Sequence, residues 1–180
     1  MPDASPTKWH RAHTTWFFEE FVLSQLADHE PHDQSFRFLF NSYYEAVGAR
    51  QPRPQRGMIT RPDIHEVAAY RQAVDQAVLD AFRADRFDAG ALDRIELGLH
   101  HEQQHQELLL MDALHLLSCN PLHPTYRNMA GTKPETEGAG PAARLEFEGG
   151  LVEVGHDAHH CTAGFAFDNE GPPHRHWLEP

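Results

Sequence analysis

The sequence predicts a mainly α protein: a helical bundle up to about residue 120, followed by the opening of a second domain of short strands and turns. Three observations point there. Apolar residues recur at helical spacing through most of the first 118 positions. Stretches rich in Pro, Gly and Arg interrupt that pattern where helices must end. Beyond residue 143 the pattern changes to short apolar runs around glycine pairs.

Ser5-Pro6 predicts the start of the first helix, with serine as the N-cap and proline at the first helical position. The helix is expected to continue through "TKWHRAHTTWFFEEFVLSQLADH". There Trp9, Ala12, His13, Trp16, Phe17 and Phe21 form one wide apolar face. A shorter second helix is expected over "QSFRFLFNSYYEAVG", closing near Gly48, and "ARQPRPQRGMITRP" is expected to be a loop. Asp63 and Glu66 have capping-box spacing, so "IHEVAAYRQAVDQAVLDAF" follows as an amphipathic helix. "RADRFDAG" breaks it. The last helix is expected from about Leu92 to Ser118, stopped by Asn120-Pro121.

This divides the chain into a four-helix-type metal-binding domain (1–120), a linker (121–143) and the N-terminal piece of a second domain (144–180). In the last, "ARLEFEGGLVEVGHD" predicts two short strands around Gly149-Gly150, and "GFAFDNEGPPHRHWLEP" more strand and turn. These residues are too few to close a sheet and core, so the second domain is expected to continue beyond Pro180.

Composition narrows the function. Hydrophobic content of 40% and charged content of 23% fit a globular chain rather than a disordered one. A net charge of -12 makes phosphate-rich nucleic acid and anionic lipid surfaces poor partners. Cys119 and Cys161 form no disulfide framework and no CxxC zinc pattern. No run approaches the length of a membrane span, and "MPDASPTKWH" is not a signal peptide, so a cytoplasmic location is expected.

Histidine is the outlier: its 15 residues equal Lys plus Arg. In "HHEQQHQELLLMDALH" His101 and His105 are one helical turn apart and project from the same face, so both can reach one metal ion. They share a stripe with Leu97, Leu108 and Leu109, where unpaired imidazoles are costly and a shared ion offsets the cost. The third ligand is expected on the first helix. His13 sits there on the apolar face, flanked by Trp9, Trp16 and Phe17, and His10 is the competing candidate. Asp112 and His115, further along the metal helix, are candidates for outer support of the ligands. His101 to His105 also spells H-E-x-x-H, but "QELLLM" follows, without the downstream Gly and His of the extended zinc-protease motif.

"SPTKWHRAHTTWFFE", "FNSYYEAVGARQPRPQRG" and "GLHHEQQHQELLLMDALH" together resemble the ergothioneine-biosynthesis sulfoxide synthases of the EgtB type. "FAFDNEGPPHRHWLEP" resembles the opening of their second domain. The resemblance covers nearly the whole chain, and selenoneine synthases share it. It implies a mainly α fold, a DinB-like helical bundle, followed by the start of a mixed α/β, formylglycine-generating-enzyme-like domain of the C-type-lectin kind. It also implies a mononuclear non-haem Fe(II) held by His13, His101 and His105. The implied reaction uses O2 to join a thiol, γ-glutamylcysteine or cysteine, to C2 of the hercynine imidazole, with oxidation of the sulfur to a sulfoxide. Three protein ligands on one face of an octahedral ion leave positions open for these partners.

By the same resemblance, Gln104 is placed to contact hercynine, and Arg53 and Arg56 to hold substrate carboxylates, for which guanidinium forks are suited. Arg50 also fits the R-x-x-R spacing. The family's catalytic tyrosine and most of its hercynine-binding groups are expected beyond Pro180, and another helical segment before Met1. The fragment alone is therefore expected to be inactive. Two other readings use the same three histidines. One is a DinB-type metal-dependent thiol transferase or hydrolase; the other is a helical bundle whose metal is purely structural.

Overall fold

The structure, a computed structural model, describes residues 1–127, 144–157 and 164–180. The chain divides into two compact units, Met1–Arg127 and Asn128–Pro180. The division falls inside the expected linker, most of which, like Cys161, lies outside the described residues.

The first unit is built on three long helices: α1 (Thr7–Phe21), α3 (Ile64–Arg83) and α4 (Ala89–Ser118). A single short turn of helix, α2 (Phe36–Leu39), stands where a longer second helix was expected. α1 packs against both α3 and α4. Its core residues Trp9, Ala12, Trp16 and Phe17 join Phe40 from the turn after α2 and Val67, Tyr70 and Val74 from α3. The apolar spacing read from the sequence accounts for this face.

The ends of α1 differ from expectation. Pro6, in extended conformation, is the N-cap, and no side chain caps the helix. Ser5 is occupied elsewhere: its backbone N–H donates to Asp112 at 2.8 Å and its hydroxyl accepts from Arg56 at 3.1 Å. At the other end the helix stops at Phe21 rather than reaching His29, and a 3-10 turn over Leu23–Gln25 follows. Buried Glu19 helps to hold this return. Its carboxylate accepts the Tyr70 hydroxyl at 2.5 Å and the His32 backbone N–H at 2.8 Å, which satisfies a group that is costly to bury alone.

α2 is short because its C-terminal side is claimed by tertiary contacts. The Phe40 carbonyl accepts from His13, and the Asn41 side-chain amide donates to the carbonyls of Tyr44 and Gly48. These bonds fold residues 41–48 into a compact turn. The expected Pro/Arg loop contains a 3-10 helix over Arg53–Met58, opened by prolines whose fixed φ suits a helical first turn.

α3 begins with the expected capping box. Asp63 accepts from the backbone of His65 and Glu66, and Glu66 reaches back to the Asp63 N–H at 2.6 Å. α4 starts at Ala89, earlier than the expected Leu92, because Asp88 caps it by accepting the Ala91 N–H at 2.7 Å. At Gly98 it lies tight against α1. A Cβ there would lie 2.8 Å from Phe18 and 3.1 Å from Phe17. On the third side, Arg71 of α3 forms an ion pair with Glu102 of α4 at 2.9 Å.

In the second unit, β1 (Gly150–Val154) pairs antiparallel with β2 (His174–Leu178), from Gly150↔Leu178 to Val154↔His174. Of the two short strands expected around Gly149-Gly150 only the second is formed: residues 144–149 are not in a strand. Both glycines have positive φ, 67° and 112°, and bend the chain into β1. Among the described residues, no helix is long and apolar enough to cross a membrane.

Candidate metal centre

α1 presents His13, and α4 presents His101 and His105 one turn apart. Because α1 and α4 pack together, the three rings converge. Their centroids lie 4.6 to 5.0 Å apart. One ring nitrogen from each falls within 4.8 Å of the other two, within reach of a single ion. Among the described residues this is the group of metal-type side chains so placed.

Each ring has a different surrounding. His13 is 1% exposed and stacks between Trp9 and Trp16, at centroid distances of 4.7 and 5.4 Å. Its Nδ1 lies 2.6 Å from the Phe40 carbonyl. A carbonyl only accepts, so Nδ1 carries the hydrogen and Nε2 keeps its lone pair. His101 is buried against Phe17, and its Nδ1 has no hydrogen-bond partner among the described residues. His105 is half-buried and meets His10, Nδ1 to Nδ1, at 2.9 Å.

All three are kept neutral. Burial pushes His13 well below the usual histidine range, with His105 and His101 adding to the effect. Burial lowers His101 to about 4 and His105 to about 3, where the unfavourable approach of His101, His10 and Arg56 to a charged ring adds to the effect. Neutral imidazoles are the form that metals take. Three of them, one with an unsatisfied ring nitrogen, fit a metal ion, and the donor set accepts iron, zinc, copper or nickel.

The cluster opens into a cavity of about 430 Å³. Arg53 and Arg56 line it from the 3-10 helix, and exposed Gln104 lines it from α4. Arg50 is not among its lining residues; it lies over the Tyr43 ring, 4.0 Å from Glu45. Arg56 is 4% exposed and lies 3.5 Å above the Trp9 ring. It donates to the hydroxyls of Ser5 and Ser42, and its buried Nε has no partner. Burial lowers its pKa to about 10. Among the described residues no carboxylate forms a direct ion pair with it; Asp112, in the same cavity lining, acts on it only through its charge, and the buried guanidinium faces the cavity. Arg53 is exposed and donates to the Asp3 carbonyl at 2.8 Å.

Sequence reasoning left two contributors without their contacts. His10 is outside the trio; it joins His105 to Asp112, with Nε2 3.1 Å from Asp112 Oδ2. Burial lowers its pKa although Asp112 pulls the other way. His115, weighed alongside Asp112, instead meets Asp3 at 3.3 Å and does not line the cavity. Ser42, Tyr43 and Tyr44 also line the cavity. The "FNSYY" run was visible, but nothing in its spacing predicts that a shortened α2 delivers it there. Comparison of the chain with protein-family models found no match, and comparison with curated proteins found no matching relative.

Proposed function

We propose that this chain is the metal-binding part of an oxygen-dependent non-haem iron sulfoxide synthase that joins a cysteine-type thiol to C2 of hercynine. The resemblance of the sequence motifs suggests the reaction. The observation that carries it is the pairing, in one cavity, of three neutral histidines with a buried arginine that, among the described residues, has no direct carboxylate partner. A purely structural metal needs neither the open cavity nor the buried guanidinium beside it. γ-Glutamylcysteine and cysteine each bring a carboxylate to match Arg56 and a thiol to reach the metal.

His13, His101 and His105 would hold the ion. An Fe(II) ion there would supply binding of dioxygen and acidification of the thiol. Arg56, fixed by Trp9, Ser5 and Ser42, positions the thiol substrate by its carboxylate; exposed Arg53 adds a second cation. Gln104, at the cavity wall, offers an amide to the imidazole of hercynine. Trp9 and the buried face of α1 form an apolar floor that excludes water.

The test is anaerobic loading with Fe(II), followed by titration with γ-glutamylcysteine and cysteine. The native chain should bind about one iron, and His13→Ala and His105→Ala should lose it. Arg56→Met should keep the iron but lose thiol binding by roughly 10- to 100-fold, the scale of a lost charge-assisted carboxylate pair. Iron retained by His13→Ala, or thiol binding indifferent to Arg56, would overturn the reading.

A further inference from the structure

The geometry points to Asp112 and His10 as positioning residues that lock His105 into the single tautomer able to ligate a metal through Nε2. This rests on the metal-centre reading above, but the hydrogen-bond chain behind it exists without a metal.

The chain begins at Asp112, two turns beyond His105 on α4. One oxygen, Oδ2, accepts from the Ser5 backbone N–H at 2.8 Å and from His10 Nε2 at 3.1 Å. A carboxylate offers only lone pairs, so His10 must carry its hydrogen on Nε2. A neutral His10 then has a bare lone pair on Nδ1. That nitrogen lies 2.9 Å from His105 Nδ1, and two nitrogens at this distance need one hydrogen between them. The hydrogen must come from His105. Its Nδ1 is therefore the N–H, and Nε2 keeps the lone pair for the metal.

Burial makes the constraint effective. The side chains of His10 and Asp112 are 5% and 15% exposed, so water competes little for these bonds. The other two ligands lack this arrangement. His13 is set by a backbone carbonyl, and the His101 Nδ1 has no partner among the described residues. Without Asp112, the His10–His105 pair can hold its hydrogens either way round. In one of the two arrangements His105 Nε2 carries a hydrogen and cannot bind metal. Outer partners of this kind change metal affinity by about 10- to 100-fold.

The test reads the tautomer directly. Metal-free protein labelled with ¹⁵N-histidine gives long-range ¹H–¹⁵N spectra in which Nδ1–H and Nε2–H rings differ, and His105→Ala identifies the His105 signals. Native His105 should be Nδ1–H. His10→Phe and Asp112→Leu should give mixed or Nε2–H rings and bind Co(II) about 10- to 100-fold more weakly. His10→Gln, whose amide oxygen can still accept from His105, should keep the native tautomer and bind Co(II) within about threefold of native.

A native His105 protonated on Nε2 would overturn the inference, as would an unchanged tautomer in folded His10→Phe. Complete loss of Co(II) by both His10 variants, with the native tautomer kept in His10→Gln, would make His10 a ligand and also overturn it. If the native chain binds no Co(II) while the tautomers behave as expected, the metal-centre reading fails and the hydrogen-bond chain stands. Should His10→Phe not fold, the native spectrum and His10→Gln still decide.

Discussion

α1 supplies His13 from a segment enclosed on nearly all sides, whereas α4 supplies His101 and His105 from one seam of a largely exposed helix. In α1 every residue from Trp9 to Glu19 except Arg11 is buried. In α4 only Ala91, Gly98 and His101 are, although the helix is twice as long. The exposed side of α4 still carries Leu92, Leu99, Leu110, Met111 and Leu114. One ligand is thus held by a packed core, and the other two by the register of a narrow contact through Gly98. The site depends on both helices, but changes in them should have very different costs.

The largest effect is expected from breaking the enclosed helix. Trp9→Ala removes a side chain that is 2% exposed and lies against both His13 and Arg56. It should cost about 3–5 kcal/mol in chemical denaturation, as large aromatic truncations in cores do. A loss below about 1 kcal/mol would show that α1 is less tightly built than its burial implies. Gly98→Ala strikes the seam itself. Alanine gains up to about 1 kcal/mol in helix propensity, but its methyl would overlap Phe18. Overpacking of this kind costs about 1–3 kcal/mol, so a net loss of stability is expected. Weaker metal binding should accompany it, because His101 lies one turn away. The smallest effect is expected on the open side. Leu114 is 67% exposed, and Leu114→Ala should change the unfolding free energy by less than about 0.5 kcal/mol. A larger loss would mean that this side of α4 is covered in solution.

The same contrast explains what could be read from the sequence. The apolar face of α1, the capping box of α3 and the one-turn spacing of His101 and His105 are local patterns, and each appears in the structure. The end of α2 is not local. It depends on the Phe40 carbonyl meeting a histidine 27 positions away and on the Asn41 amide closing the next turn. The partner of β1 is not local either, since it lies in His174–Leu178, about twenty positions further on. His10 could be read as a ligand candidate because it shares a helix with His13. Its contacts with His105 and Asp112 lie 95 and 102 positions away and depend on how α1 slides along α4, which helical periodicity alone does not set.

The first few residues have a bearing on how the protein is handled. Ser5 gives its backbone N–H to Asp112 and its hydroxyl to Arg56, and Asp3 lends its carbonyl to Arg53. Residues 3 to 5 thus act as a clasp beside the cavity. Cleavage of the chain just after Ser5 would remove partners from an arginine and from the aspartate behind His105 while leaving every helix intact. A preparation shortened in this way would look well folded by circular dichroism and still be altered where small molecules meet it.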